Sequence, residues 1–158
     1  MRMAAALLAV AALAGAAQAQ SAERWRAFRV TPDGAMAYDA ARTTPRPERP
    51  VFVTTLFWND GPHQTGWRFA EVNQQIDCAA RRIAIYEISR FAEDGRLLGR
   101  DVPAPPPSWS ELHTGGGGPP HQGLLWREVC RGEPWPPTFE AASRAELLTA
   151  LRAGRHRR

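Results

Sequence analysis

Residues 67–78 read WRFAEVNQQIDC, and this segment gives the clearest indication of the fold class. Its apolar side chains lie at even spacing, and a β-strand places alternate side chains on opposite faces. The pattern therefore predicts a strand with one face in the core and one polar face. The predicted core positions are Ala70, Val72, Ile76 and Cys78, and the predicted polar positions are Glu71, Asn73, Gln75 and Asp77.

The segments on either side of this strand predict antiparallel neighbours. Residues 81–92, RRIAIYEISRFA, precede EDG and then RLLGRDV, and an Asp-Gly pair between two such runs is a strong hairpin signal. Residues 51–59, VFVTTLFWN, have the highest β propensity in the chain and stop at the turn-rich NDGPHQTG. We expect residues 51–59 to form a central strand.

The N-terminal strands are predicted to be shorter. Residues 24–30, RWRAFRV, mix aromatic and β-branched side chains and lead into the turn sequence TPDG. A second short strand is predicted to end near Asp39, because the following TTPRPERP is too rich in proline for a central strand. With these two segments the sheet is predicted to hold about five to six strands.

After the sheet the sequence predicts a loop and two helices. Residues 103–122, PAPPPSWSELHTGGGGPPHQ, combine proline and glycine runs and favour a long surface loop without regular structure. In residues 123–131, GLLWREVCR, apolar side chains recur at helical spacing, which predicts a short helix. The last segment begins with the capping box Ser143 and Glu146 and stops at Gly154, which predicts a terminal helix.

The first 19 residues have the layout of a secretory signal peptide. Arg2 supplies a basic start, an Ala-rich apolar run follows, and the tripeptide AQA ends the segment at Ala19. We expect the mature chain to start at Gln20 and to be exported to the periplasm or outside the cell. The apolar run is too short and too weakly apolar for a membrane span, and no second run follows, so no transmembrane segment is predicted.

Two cysteines, Cys78 and Cys130, are present. Export places the chain in an oxidising compartment, where an even pair is interpreted as one disulfide rather than as a metal or catalytic site. The bridge would tie the strand that ends at Cys78 to the short helix that carries Cys130.

Three motifs resemble those of the surface-adhesin protein E-like family: VNQQIDCAARR at 72–82, EDG at 93–95 and LLWREVC ending in Cys130. The resemblance covers about residues 24–131. It implies a small exported domain with a helix held against an antiparallel sheet by the disulfide and, as for the family's namesake, binding of host surface components. The chain departs from the family in having no lipid-attachment cysteine and in its glycine-rich insertion and Arg-rich C-terminal extension.

Together these observations predict an α+β fold. A single antiparallel β-sheet of about five to six strands carries a short helix pinned by the disulfide and a C-terminal helix. The predicted organisation is a signal peptide at 1–19, a surface-adhesin E-like domain at 20–137 and a helical, Arg-rich C-terminal extension at 138–158.

The charge of the chain does not indicate a nucleic-acid-binding surface. All 20 basic residues are arginine, against 16 acidic residues, for a net charge of +4. Four arginines lie in the C-terminal RAGRHRR, and the rest of the chain is close to neutral. We therefore expect no nucleic acid to bind through the domain body, and a short terminal charge run is usually only solvated.

Four histidines raise the alternative of a periplasmic metal-binding protein or hydrolase. His113 and His121 flank the glycine run, and SWSELH offers Ser108 and Ser110 beside His113 as a nucleophile and base. A zinc site needs three or four ligands held at fixed spacing, and the Gly-x-Ser-x-Gly elbow is missing. We predict no catalytic residue, metal or cofactor and keep a site centred on His113 and His121 as the alternative.

The tryptophans are the remaining candidates for a binding role. Six are present, and most tryptophans in a domain of this size lie in the core. Trp109 and Trp135 stand in the proline-rich contexts PPPSW and EPWPP, where a half-exposed ring can anchor a partner. The leading hypothesis is an exported, non-enzymatic, adhesin-like domain that binds a protein or envelope component through a sheet face or edge and the loops around Trp109.

Overall fold

The structure, a computed structural model, describes residues 23–31, 34–43, 49–60, 66–113, 120–133 and 139–154. Within these ranges the chain forms eight β-strands and two α-helices. In chain order they are β1 (Trp25–Thr31), β2 (Gly34–Asp39), β3 (Val51–Asn59), β4 (Phe69–Asp77), β5 (Arg82–Phe91), β6 (Leu97–Asp101), β7 (Trp109–Glu111), α1 (Pro120–Arg131), β8 (Phe139–Ala141) and α2 (Arg144–Arg152). The predicted signal peptide and the end of the Arg-rich tail lie outside the described residues.

The eight strands form one sheet in the order β6-β5-β4-β3-β2-β1-β8, and β7 also pairs with β5. All pairs are antiparallel. Strands β1 to β6 therefore form a meander in which each strand pairs with the next one along the chain. The antiparallel sheet with two helices confirms the predicted architecture, but the prediction of five to six strands is wrong.

The two additional strands, β7 and β8, are three residues long. β7 lies inside the segment 103–122, which was expected to lack regular structure, and it pairs with residues 82–84 of β5. β8 pairs with residues 25–27 of β1. Both use backbone groups at the edge of a longer strand. A three-residue edge strand is too short to show an alternating pattern, so neither strand has a recognisable signal in the sequence.

Two glycines are required by the turns and pairings of the sheet. The Asp-Gly hairpin is confirmed between β5 and β6, with Gly95 at φ +90°. Its backbone N–H donates to the carbonyl of Ala92 at 3.0 Å. At the start of β2, a Cβ added to Gly34 would lie 2.1 Å from the carbonyl oxygen of Trp58, so only glycine lets these two strands approach.

The helices pack on opposite faces of the sheet, which we call the α1 face and the α2 face. On β3, Val51 and Val53 belong to the core under α1, whereas Leu56 and Trp58 belong to the core under α2. The α1-face core also contains Phe28, Tyr38, Ile76, Ile83, Leu112, Leu125 and Val129. The α2-face core also contains Trp25, Ala27, Ala35, Ala37, Phe69, Ala141, Leu147, Leu148 and Leu151.

The disulfide between Cys78 and Cys130 is present, with an Sγ–Sγ distance of 2.04 Å and a Cα–Cα distance of 5.4 Å. Cys78 directly follows β4, and Cys130 lies in the last turn of α1. Both are partly buried against the α1-face core. The bridge therefore fixes α1 to the sheet, as the sequence predicted.

Both helices start at residues suited to a helix N-terminus. α1 begins at Pro120, three residues before its predicted start, and proline is favoured in the first helical turn because its fixed φ suits the helix. At α2, the Ser143 side chain accepts from the backbone N–H of Glu146 at 3.1 Å. The Glu146 carboxylate accepts in return from the N–H of Ala142 at 2.8 Å. The predicted capping interaction is thus formed.

Candidate functional site

The α2 face carries an exposed aromatic side chain, Phe52, outside the area that α2 covers. Alternation along β3 puts Phe52 on the same face as Leu56 and Trp58. Leu56 and Trp58 are buried in the α2-face core, whereas Phe52 is 61% exposed. A phenylalanine this exposed on a sheet face leaves much of its apolar surface in water.

Phe52 begins a row of cross-strand neighbours. It pairs with Gln75 on β4, Gln75 pairs with Ala84 on β5, and Ala84 pairs with Trp109 on β7. Directly paired residues point to the same face, and adjacent strands are about 4.8 Å apart. We call Phe52, Gln75, Ala84 and Trp109 the aromatic row; it extends across four strands, with an aromatic ring at each end.

A β-bulge brings a third aromatic ring to the row. The pairing of β4 with β5 shifts between Asn73 and Gln74, which leaves Tyr86 as the extra residue on β5. Its ring lies 5.6 Å from that of Phe52, tilted by 50°. Its hydroxyl donates to Oε1 of Gln75 at 2.5 Å. The bulge thus aims Tyr86 at the middle of the row, as bulges commonly re-aim a side chain.

Trp109 is held at the far end of the row by a cation. The Arg82 guanidinium lies 5.2 Å from the centroid of the indole ring. The same guanidinium pairs with the Asp77 carboxylate at 3.0 Å. The backbone N–H of Ala80 and then Arg82 hold the pKa of Asp77 below its usual value, so this carboxylate is ionised at neutral pH. Trp109 is one of the two predicted contact residues. Its side chain is half-buried, and its pairing with Ala84 places it in the row.

Two side-chain amides on β4, those of Asn73 and Gln75, have their orientation set by hydroxyl donors. The Thr54 hydroxyl donates to Oδ1 of Asn73 at 2.8 Å, as the Tyr86 hydroxyl does to Oε1 of Gln75. The amide NH₂ groups of Asn73 and Gln75 donate to no other residue in the described part of the chain. The row therefore combines aromatic rings for stacking with the N–H donors of Gln75 and the neighbouring Asn73.

The predicted histidine pair lies at the junction of β7 and α1. His113 is exposed, and its backbone N–H donates to Oε1 of Gln122 at 3.3 Å. His121 is half-buried, with its ring edge-on to Phe57 at 5.7 Å. Burial, and then the positive charge of Arg29, lower the pKa of His121. No group of three or more His, Cys, Asp or Glu side chains that could hold a metal is found among the described residues.

The second predicted contact residue, Trp135, lies outside the described residues. Sequence reasoning did not single out Phe52 and Tyr86, which supply two of the three rings. Alternation in VFVTTLFWN already predicts that Phe52 lies on the opposite face of the strand from Val51 and Val53. How much of a sheet face a helix covers depends on the tertiary structure, however. The pattern of one strand therefore does not predict which residues of that face stay exposed.

A partly buried ionic cluster on the α1 face serves the fold. The Arg26 side chain forms salt bridges with Glu128 of α1 and Glu140 of β8. Burial raises the pKa of Glu128 despite the neighbouring arginine. Burial, and then the Glu128 charge, raise the pKa of Tyr38 to about 12. Because these groups join a helix to two strands, we interpret the cluster as a structural link between α1 and the sheet.

The chain matches no protein-family model, no curated protein and no solved structure. Neither helix in the described ranges is long and apolar enough to cross a membrane.

Proposed function

We propose that this chain is an exported, non-enzymatic, adhesin-like domain of the bacterial envelope that binds a partner protein through the aromatic row. The observation that carries the proposal is the 61% exposure of Phe52, in contact with Tyr86 and in register with Trp109. Exposed apolar surface rimmed by polar groups is typical of interaction sites. Tyrosine and tryptophan are also the commonest anchors of protein interfaces.

Export is supported by the residues at the start of the chain and by the disulfide. The segment that ends at Ala19 has signal-peptide layout, and disulfides persist in oxidising compartments. The resemblance to the surface-adhesin protein E-like family supports a binding role in the same compartment. The mass of the protein purified from its own bacterium should match a chain that starts at Gln20; an intact N-terminus would contradict export by this route.

The aromatic row can supply a useful part of a binding free energy. Complete burial of a phenylalanine side chain contributes about 1.5–3 kcal/mol. We therefore expect Phe52→Ser to weaken partner binding by about tenfold or more. Because Phe52 is exposed, the same change should leave the fold intact, apart from the loss of its ring contact with Tyr86, of about 1 kcal/mol.

The test places a photo-cross-linking residue at position 52 of the full chain in its own bacterium. Position 102 is the matched control, because Val102 is 65% exposed but does not lie in the row. We expect a discrete protein adduct from position 52 and none from position 102. The captured partner, once purified, should bind Phe52→Ser more weakly than Val102→Ser.

Two results would overturn the proposal. Equal binding of the two serine variants would show that the row is not the contact surface. Binding of purified cell-wall glycan that is lost in Phe52→Ser, with no protein adduct, would show that the partner is not a protein.

A further inference from the structure

A second site lies on the opposite face of the sheet, beneath the N-terminal half of α1. A cavity of about 120 Å³ lies there between the helix and strands β1, β3, β4 and β5. We call it the α1 cavity. It is separate from the aromatic row, because its strand residues alternate with those of the row.

The walls of the α1 cavity are mostly apolar, with Gln122 among their polar side chains. They include Phe28, Phe57, Val72 and Leu125. At the rim stands His121, which burial keeps mostly neutral at neutral pH and whose ring packs edge-on to Phe57. Walls of this kind favour an uncharged ligand, because an isolated charge inside them would lose its hydration.

The floor of the cavity carries two deeply buried polar side chains, Thr55 at 1% and Gln74 at 5% exposure. The Thr55 hydroxyl donates to the Val72 carbonyl oxygen at 3.4 Å, which leaves its oxygen to accept from Nε2 of Gln74 at 3.2 Å. This order of donors fixes the amide orientation. Oε1 of Gln74 then has no hydrogen-bond donor within the described part of the chain. The floor thus presents an acceptor atom that faces the cavity from a mostly buried side chain.

We propose that the α1 cavity binds a small neutral molecule of one ring whose hydroxyl or N–H group donates to Oε1 of Gln74. The volume suits one ring, because an apolar protein cavity of about 150 Å³ holds benzene. A ring with one donor satisfies the acceptor and fills the apolar space.

The experiment titrates the disulfide-bonded mature protein with phenol and with toluene, which has nearly the same shape but no donor. Amide shifts of Val72 and Leu125 report binding in the cavity by NMR. We expect saturable binding of phenol, about tenfold tighter than that of toluene, because only phenol forms the hydrogen bond.

Two variants separate the hydrogen bond from the cavity itself. Gln74→Met keeps the side-chain length and should abolish the preference for phenol, whereas Gln75→Met, on the same strand but the opposite face, should keep it. Leu125→Phe, which fills the cavity, should abolish binding of both probes, so the test remains decisive if Gln74→Met does not fold. Equal affinity for phenol and toluene, unchanged binding in Leu125→Phe, or no saturable shift in the wild type, as for a cavity holding water only, would overturn the proposal.

Discussion

Removal of the Cys78–Cys130 disulfide measures how much of the fold depends on one covalent link. The two cysteines are 52 positions apart, and the chain-entropy relation for a loop of that length gives about 4 kcal/mol of stabilisation. In a domain of this size, about 1 kcal/mol changes Tm by roughly 3–5 °C. We therefore expect the double variant Cys78→Ala/Cys130→Ala to melt about 12–20 °C below the wild type, in a thermal scan followed by circular dichroism.

Reduced wild type is the control for this variant. Cys78 and Cys130 are partly buried against the α1-face core, so alanine also removes packing contacts that reduction leaves in place. Equal decreases in Tm would assign the effect to the cross-link, and a larger decrease in the variant would measure the lost packing. A decrease below about 4 °C in both would refute the loop-entropy reasoning.

Three further predictions follow from particular contacts. Gly34→Ala should destabilise the fold by more than about 2 kcal/mol in urea denaturation, because its Cβ would lie 2.1 Å from a backbone oxygen of β3; Gly99→Ala, whose Cβ meets nothing within 4 Å, should have a small effect. Burial raises the pKa of Glu128 in the folded state, so the carboxyl stabilises the fold below its unfolded pKa and loses this contribution as pH rises through the folded value. Relative to Glu128→Gln, the wild type should thus become less stable in denaturation curves between pH 4 and pH 8, and a difference that does not change with pH would contradict the assignment. Added zinc should leave Tm unchanged; an increase that disappears in His113→Ala and His121→Ala would support the metal alternative instead.

The longer strands were predictable because their local patterns agree with their burial. In β4, Val72 and Ile76 are buried and the residues between them include the half-buried Asn73 and Gln75. The Asp-Gly hairpin and the capping of α2 were predictable for the same reason, because the signal and the structure lie within a few residues of each other. β7 and β8 were not predictable. Each has only three residues, and each forms by pairing with a longer strand that lies far away in the sequence.

The candidate site was predictable only in part. The proline context of Trp109 drew attention to it, but its neighbours in the row come from three other strands. The bulge that presents Tyr86 depends on the register between β4 and β5, which neither strand specifies alone. The α1 cavity is still less visible in the sequence, because Gln74 resembles any other polar residue of its strand until the helix is placed over it.

The Cys78–Cys130 bridge also closes the polypeptide into a ring that contains β5, β6, β7 and most of α1. A protease that cuts once between the two cysteines therefore produces a nicked molecule whose halves remain covalently joined. Such a molecule keeps its full mass on a non-reducing gel and separates into two pieces only after a thiol is added. A protease can thus cleave this part of the domain without releasing either fragment.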